Sequence, residues 1–149
     1  MVYSLAVRFL RDRASAEELS QEVFLQCFRQ LDKLESEAHV TWWLRRAITH
    51  RCIDEGRKRK LRPKADLDDI PELMARSEES DLFLNQRLRR LVGALPEKAR
   101  MLVLMRYQED LDPSEIAAVL EIPVSSVKSS LHRALTALRG KFLKQEVMG

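Results

Sequence analysis

The sequence predicts an all-α protein made of two small helical domains joined by a flexible acidic linker. Three observations carry that prediction. Glycine and proline are sparse, 4 and 5 among 149 residues. Apolar residues recur at helical spacing, and few runs alternate with the period of a strand. Finally, the charge reverses abruptly near Pro63. From Arg51 to Lys64 there are seven basic residues and two acidic ones; from Asp66 to Asp81 there are seven acidic residues and one basic. That acidic stretch, with Pro63 and Pro71 and little periodicity, reads as a linker over residues 63–83. Residues 1–62 and 84–149 are then the two domains. A solvated loop within one larger domain is the alternative.

In the first domain, Tyr3, Val7 and Leu10 fall at helical spacing and read as the end of a helix whose start is missing or short. Ser15 opens a second helix, with Glu18 completing a capping box. Leu19, Val23, Cys27 and Leu31 line its apolar face, which Phe24 and Phe28 widen. A third helix is expected from about Thr41 to about Arg59, with Trp43, Leu44, Ala47, Ile48 and Cys52 as its apolar positions.

Four helical patterns make up the second domain. Leu84, Leu88, Leu91 and Val92 share one face. Pro96, as a first helical residue, opens a segment through Tyr107. Asp112-Pro113-Ser114-Glu115 is a strong helix start, an Asp cap followed by Pro at the first position and Glu at the third. That helix carries Ile116, Ala117 and Leu120. After Glu121-Ile122-Pro123 comes a last helix, striped by Val127, Leu131, Leu135, Leu138 and Phe142.

Several function classes are disfavoured. The formal charge is only +3, so the distribution of charge matters more than its sum. No apolar run approaches the ~20 residues that cross a bilayer, and the N-terminus lacks the pattern of a secretory signal. Cys27 and Cys52 sit in apolar helical patterns and read as buried thiols of a reducing cytoplasm. His39, His50 and His132 are scattered, no nucleophile–base pair is evident, and the cysteines lack metal-site spacing. No catalytic residue, metal or cofactor is therefore expected, nor a small-molecule substrate.

A short capped helix, a tight turn and a longer helix with a basic polar face have the shape of a helix-turn-helix. Asp112 to Glu121 would be the supporting helix, and Ser125 or its neighbour would start the recognition helix. Opposite the leucine stripe lie Lys128, Ser129, His132, Arg133 and Thr136, groups suited to phosphates and base edges. A plain helical hairpin with a solvated basic face fits the same composition. Three blocks in order, Leu95 to Arg100, Leu111 to Ala117 and Ile122 to Ala134, resemble region 4 of the extracytoplasmic-function (ECF) sigma factors. In that family this domain reads the −35 promoter element and packs on the flap of the polymerase beta subunit. The resemblance implies that Ser126, Lys128, Ser129, His132 and Arg133 face DNA. Ser125 stands where the family often has Gly, and Ser130 where it often has Arg, so the promoter letters do not transfer.

Glu18-Leu19-Ser20-Gln21-Glu22-Val23-Phe24 resembles the polymerase-binding helix of sigma region 2. Glu18, Gln21 and Glu22 share one outward patch, which in the family grips the clamp coiled coil of the beta-prime subunit. Thr41 to Arg57 resembles the promoter-melting segment. A flat aromatic can replace the stacking partner of a displaced base, and arginines beside it can hold phosphates. The helix repeat groups Arg46, Thr49, His50 and Arg57 on the polar side. By resemblance, Arg46 and Thr49 would meet the upstream edge of the −10 element, while Trp42 and Trp43 would mark the edge of the bubble. Trp43 is also in register with Ala47, as a core residue would be. In the family the stretch matching Ser36 to Val40 holds a flipped −10 base. Here it matches no pattern that names a pocket, and His39 reads as an ordinary surface histidine.

The resemblance covers nearly the whole chain apart from the linker, with the family's first region 2 helix only partly present. It implies a cytoplasmic transcription-initiation factor whose partners are core RNA polymerase, promoter DNA and an anti-sigma factor. Two rival readings are a stand-alone helix-turn-helix regulator, and a sigma-like decoy that binds polymerase or an anti-sigma factor without reading DNA.

Overall fold

The computed structural model describes the backbone of residues 1–60 and 79–148, and the side chains of 1–59 and 86–144. Among the described residues there are seven α-helices, one 3-10 turn and no strand. Most of the expected linker lies outside the described residues, though a helix already begins within its last part, at Glu79.

Helix α1 (Val2–Leu10) buries Val2, Leu5, Ala6, Val7, Phe9 and Leu10, six of its nine residues. A helix that is apolar nearly all round belongs in a core, and α1 touches α2, α3 and a helix of the second half. Helix α2 (Arg13–Arg29) starts one turn earlier than the sequence suggested. Its cap is Asp12, not Ser15. Asp12 Oδ1 accepts from the Ala14 N–H at 3.1 Å, and the Ser15 hydroxyl donates to Oδ2 at 2.8 Å. The carboxylate, three residues upstream, accepts from the Ala14 and Ser15 amides, so Ser15 itself lies inside the first turn. Arg59, in the last turn of α3 (Glu37–Lys60), donates to Asp12 Oδ2 at 3.0 Å, to the Leu10 carbonyl at 3.2 Å and to the Ser15 hydroxyl. The α1–α2 corner is thereby pinned to the end of α3.

Between α2 and α3 lies the 3-10 turn Leu31–Lys33. On α2, Val23 and Cys27 are buried as expected and Leu19 partly so, Ala16 is buried as well, but Phe24, Phe28 and Leu31 are not. They are 51%, 76% and 50% exposed, and Leu25 is 56% exposed. The core stripe of α2 is therefore narrower than its apolar composition, and the surplus faces outward.

In the second half, α4 (Glu79–Gly93) packs Leu91 inward and leaves Leu88 39% exposed. Leu84's side chain lies outside the described residues. Helix α5 (Glu97–Tyr107) takes Pro96 as its cap instead of its first residue, and buries the run Met101 to Met105. Helix α6 (Pro113–Leu120) has the expected start: Asp112 Oδ1 accepts from the Glu115 N–H at 2.8 Å, and Glu115 Oε1 accepts from the Asp112 N–H at 3.3 Å. Helix α7 (Val124–Met148) buries Val127, Leu131, Ala134 and Leu138.

The two halves are packed together. Helix α5 lies against α1 and α3, and α6 against α3, so one apolar cluster runs from Val2 through Ile48 and Met101 to Leu138. Arg100 of α5 donates to the Phe9 carbonyl at 2.7 Å, with its guanidinium 4.3 Å from the Phe9 ring centroid. Gly56 of α3 marks a close approach. A Cβ there would lie 3.0 Å from Glu97 Cγ and 3.2 Å from Phe9 Cε1. A sequence reading built on two separate cores did not anticipate this junction.

Candidate nucleic-acid interface

The turn between α6 and α7 is Glu121-Ile122-Pro123, with Glu121 in the left-handed region at φ 57°. Its N–H donates to the Ala117 carbonyl and closes α6. The Pro123 carbonyl accepts from Ser126 N–H at 3.0 Å and Val127 N–H at 3.2 Å, which starts α7. The burial of Val127, Leu131, Ala134 and Leu138 fixes the roll of that helix. Ser126, Lys128, Ser129, His132 and Arg133 are consequently all exposed, on one continuous polar surface. Arg133 Nη2 donates to Ser130 Oγ at 3.2 Å, so the serine standing where the resemblance expects arginine steadies its neighbour. This surface can offer two cations, two hydroxyls and an imidazole to a duplex groove.

On α3 the expected residues separate. His50 and Arg57 are exposed, and Trp42, Trp43 and Arg46 are partly buried. Both tryptophans pack against the core by one side. Arg46 lies 5.4 Å from the Trp42 ring centroid, and His39 stacks obliquely on Trp42 with centroids 6.0 Å apart. Thr49 corrects the expectation of a polar-side group, because it is fully buried and its hydroxyl finds no hydrogen-bond partner. The reason is its register. Thr49 stands one turn after Arg46, and Ile53 and Gly56 follow at helical spacing. Arg46 pairs with Glu121 at the C-terminal end of α6, and Gly56 meets Glu97 of α5. The stripe runs between these two contacts with the second half.

Electrostatics follow the same contact. Glu121 is drawn below the usual carboxylate value by the hydrogen bond from Arg46, with His50 acting in the same sense. Burial pushes the Cys52 thiol up to about 12, against the opposing pull of Arg100 and Arg59. Cys27 and Cys52 are free and buried, as their apolar settings suggested.

On α2, Glu18 and Gln21 are exposed, and the Glu22 carboxylate is paired with Arg51 of α3. The exposed Phe24, Leu25 and Phe28 extend this face, a feature masked in the sequence because their spacing also suits a core. An open cavity of about 420 Å³ lies between the 3-10 turn and the start of α3. Leu31, Leu34, Val40, Ser36 and Thr41 line it with Glu35 and Glu37. His39 shapes the loop: its Nδ1 accepts from the Glu35 N–H at 3.2 Å, and its own N–H donates to Ser36 Oγ at 3.1 Å. The sequence named no pocket here because these contacts are made by a non-helical turn with no periodic signature.

Among the described residues, no helix is long and apolar enough to cross a membrane. No group of His, Cys, Asp and Glu there is arranged to hold a metal ion.

Residues 1–62 match the family model for sigma-70 region 2, and residues 85–138 match the model for sigma-70 region 4. The chain is 30% identical to the ECF RNA polymerase sigma-E factor of Escherichia coli (strain K12), over 94% of this chain and 80% of the relative. It is 28% identical to the ECF RNA polymerase sigma factor SigW of Bacillus subtilis (strain 168), over 93% of this chain and 81% of the relative. Its fold is similar to the sigma factor RpoE of Bartonella quintana, solved in complex with the anti-sigma factor NepR. The TM-score is 0.71 at 16% identity, covering 96% of this chain and 89% of that one. With both sigma regions matched in order along a helical chain, the protein belongs to the sigma-70 family of RNA polymerase sigma factors, in its ECF group.

Proposed function

We propose that the two halves divide the work of promoter recognition. Residues 1–62 hold the polymerase clamp and capture the opened −10 strand. Residues 84–149 read duplex −35 DNA and seat on the beta flap, and the acidic segment 63–83 tethers the two. Two weak sites on one chain gain affinity through effective concentration once polymerase sets their spacing. The observation that supports this reading best is the exposure of Ser126, Lys128, Ser129, His132 and Arg133 together on α7.

Within this reading, Glu18, Gln21 and Glu22 contact the clamp. Trp42, Trp43, Arg46, Thr49, His50 and Arg57 serve the −10 region. The cavity lined by Ser36 and Val40 has room for an unstacked base. An anti-sigma protein is the regulatory partner suggested by the Bartonella relative's complex. The protein acts where polymerase acts, in the cytoplasm, and carries out no chemistry itself.

The test is transcription reconstituted from core polymerase and a fragmented genomic template. Promoter-directed transcripts that depend on the chain and share −10 and −35 elements are expected. Capture of core polymerase without any such transcript would return the chain to the decoy reading. Tight operator binding without polymerase would favour the stand-alone regulator.

A further inference from the structure

The turn ahead of α3 is tied by a histidine that the sequence marks as an ordinary surface group. Ser36 caps α3: its Oγ accepts from the His39 N–H at 3.1 Å, and its carbonyl accepts from the Val40 N–H at 3.0 Å. His39 reaches back with its ring, whose Nδ1 accepts from the Glu35 N–H at 3.2 Å. The pattern is a capping box with an imidazole in place of the usual carboxylate, reaching one residue further back than that carboxylate does. Acceptance at Nδ1 requires the ring proton to sit on Nε2.

The same ring lies against Trp42, with centroids 6.0 Å apart and planes tilted by 39°. The Arg46 guanidinium follows one turn on, 5.4 Å from the Trp42 centroid. His39, Trp42 and Arg46 stand at i, i+3 and i+7, which places them on one face of α3. Glu35 and Ser36, the two residues tied by His39, line the cavity of about 420 Å³ ahead of that face. A glutamate at position 39 could close the same box, but it would offer no ring to Trp42. The Trp42 ring limits the tilt of the imidazole and so aims Nδ1 at the turn.

We propose that His39 is a positioning residue for strand capture: its Nδ1 holds the Glu35–Ser36 turn in the shape that keeps the cavity open beside Trp42, so that a base unstacked at Trp42 meets a pocket already formed. The proposal rests on the −10 role given above to Trp42 and the cavity. A turn ordered in advance spares the entropy of ordering it when the base enters. The grip on polymerase and the reading of duplex −35 DNA lie elsewhere on the chain. Loss of the tie therefore slows promoter opening and leaves the first docking intact.

Two variants separate the acceptor from the ring. His39→Phe keeps a ring for Trp42 and removes the acceptor. His39→Asn removes the ring and keeps an acceptor, with Oδ1 in the place of Nδ1. His39 is exposed, so neither change threatens folding.

The experiment uses the full-length chain in holoenzyme, on a promoter duplex carrying an aminopurine fluorophore within the −10 element. Stopped-flow fluorescence gives the docking affinity and the opening rate separately. Exchange of the Glu35 amide in the free chain reads the tie without polymerase. His39→Phe is expected to open about three- to tenfold more slowly, with docking affinity within about twofold of wild type and faster Glu35 exchange. His39→Asn is expected to recover both the opening rate and the slow exchange to within about twofold. Opening by His39→Phe at the wild-type rate overturns the proposal, as does His39→Asn opening as slowly as His39→Phe. Docking and opening that weaken together, in step with a lowered melting temperature, reduce His39 to a stability residue and overturn it too. A wild type that opens no promoter removes the −10 reading and strand capture with it, while Glu35 exchange still shows whether His39 ties the turn.

Discussion

Arg100 joins the two halves through Phe9. Its Nη1 donates to the Phe9 carbonyl at 2.7 Å while the guanidinium lies 4.3 Å from the centroid of the same residue's ring. Burial pushes the Arg100 pKa down, with Glu97 opposing that shift, so the charge is held there at some desolvation cost. A charge-assisted hydrogen bond contributes about 1.5–3 kcal/mol, and a partly desolvated cation–π contact adds about 1. Relief of the buried charge offsets part of the loss. Arg100→Met should therefore destabilise the chain by about 1–2 kcal/mol in urea unfolding. Because the core is continuous across the halves, the wild type should unfold in one transition, and the variant's helical signal should begin to split into two.

Asp12 gives a stability contribution with a defined pH sense. Burial raises its pKa, but the hydrogen bonds from Ser15 and Arg59 outweigh this and hold the carboxyl below its ordinary 3.8. The depressed value means that the folded state favours the ionised form. The contribution is complete above the unfolded value and disappears as pH falls through the lower folded one. Asp12→Ala should cost about 1 kcal/mol at pH 7 through the lost cap, with the Arg59 contact adding to it. The gap between wild-type and variant melting temperatures should close steadily as the pH is lowered from 5 to 2.

Lys128 and Arg133 should act on binding and not on folding. Both are exposed on α7, opposite the buried Val127, Leu131 and Ala134. Replacing either with Ala should shift stability by less than about 0.5 kcal/mol. In holoenzyme bound to a mapped promoter, a residue that meets a phosphate lowers the salt slope of affinity by about 1 on removal. A residue bidentate to guanine would instead lose about 1–3 kcal/mol at one base pair and relax the preference there. Affinity measured against salt on matched and mismatched −35 duplexes tells the two apart.

Local signals were legible in the sequence and distant ones were not. The Asp112–Glu115 capping box was readable because both partners lie within one turn, and the roll of α7 followed from its leucine stripe. The cap of α2 was misplaced because Asp12 and Ser15 can each accept from nearby amides, and the Arg59 guanidinium that donates to both comes from a distant helix. Thr49 was placed on the polar side because helical spacing does not say how many faces of α3 its neighbours cover, and α3 packs on α1, α2, α5 and α6. Ser126 to Arg133 needed no such knowledge, since nothing from the first half covers them. Phe24 and Phe28 were read as a widened core face because helical spacing cannot say how many apolar columns the neighbours will cover.

Phe28 makes the sharpest test of that outward apolar face. It is 76% exposed, with Phe24 at 51% and Leu25 at 56% on the same helix, beside Glu18 and Gln21. Single exposed hydrophobes are ordinary, but several contiguous ones rimmed by polar groups mark a contact surface. On the proposed reading, this face is where polymerase is gripped, and a large aromatic near its centre would be among the few residues that dominate affinity. Phe28→Ser removes little that is buried, so the melting temperature should stay within about 2 °C of wild type. Its affinity for core polymerase should fall by about 2 kcal/mol, roughly thirtyfold, while (dT)12 binding by the free chain stays unchanged. A comparable loss in Gln21→Ala would place the contact along the whole patch. Full affinity in Phe28→Ser, measured by fluorescence anisotropy against core polymerase, would move the grip away from this face of α2.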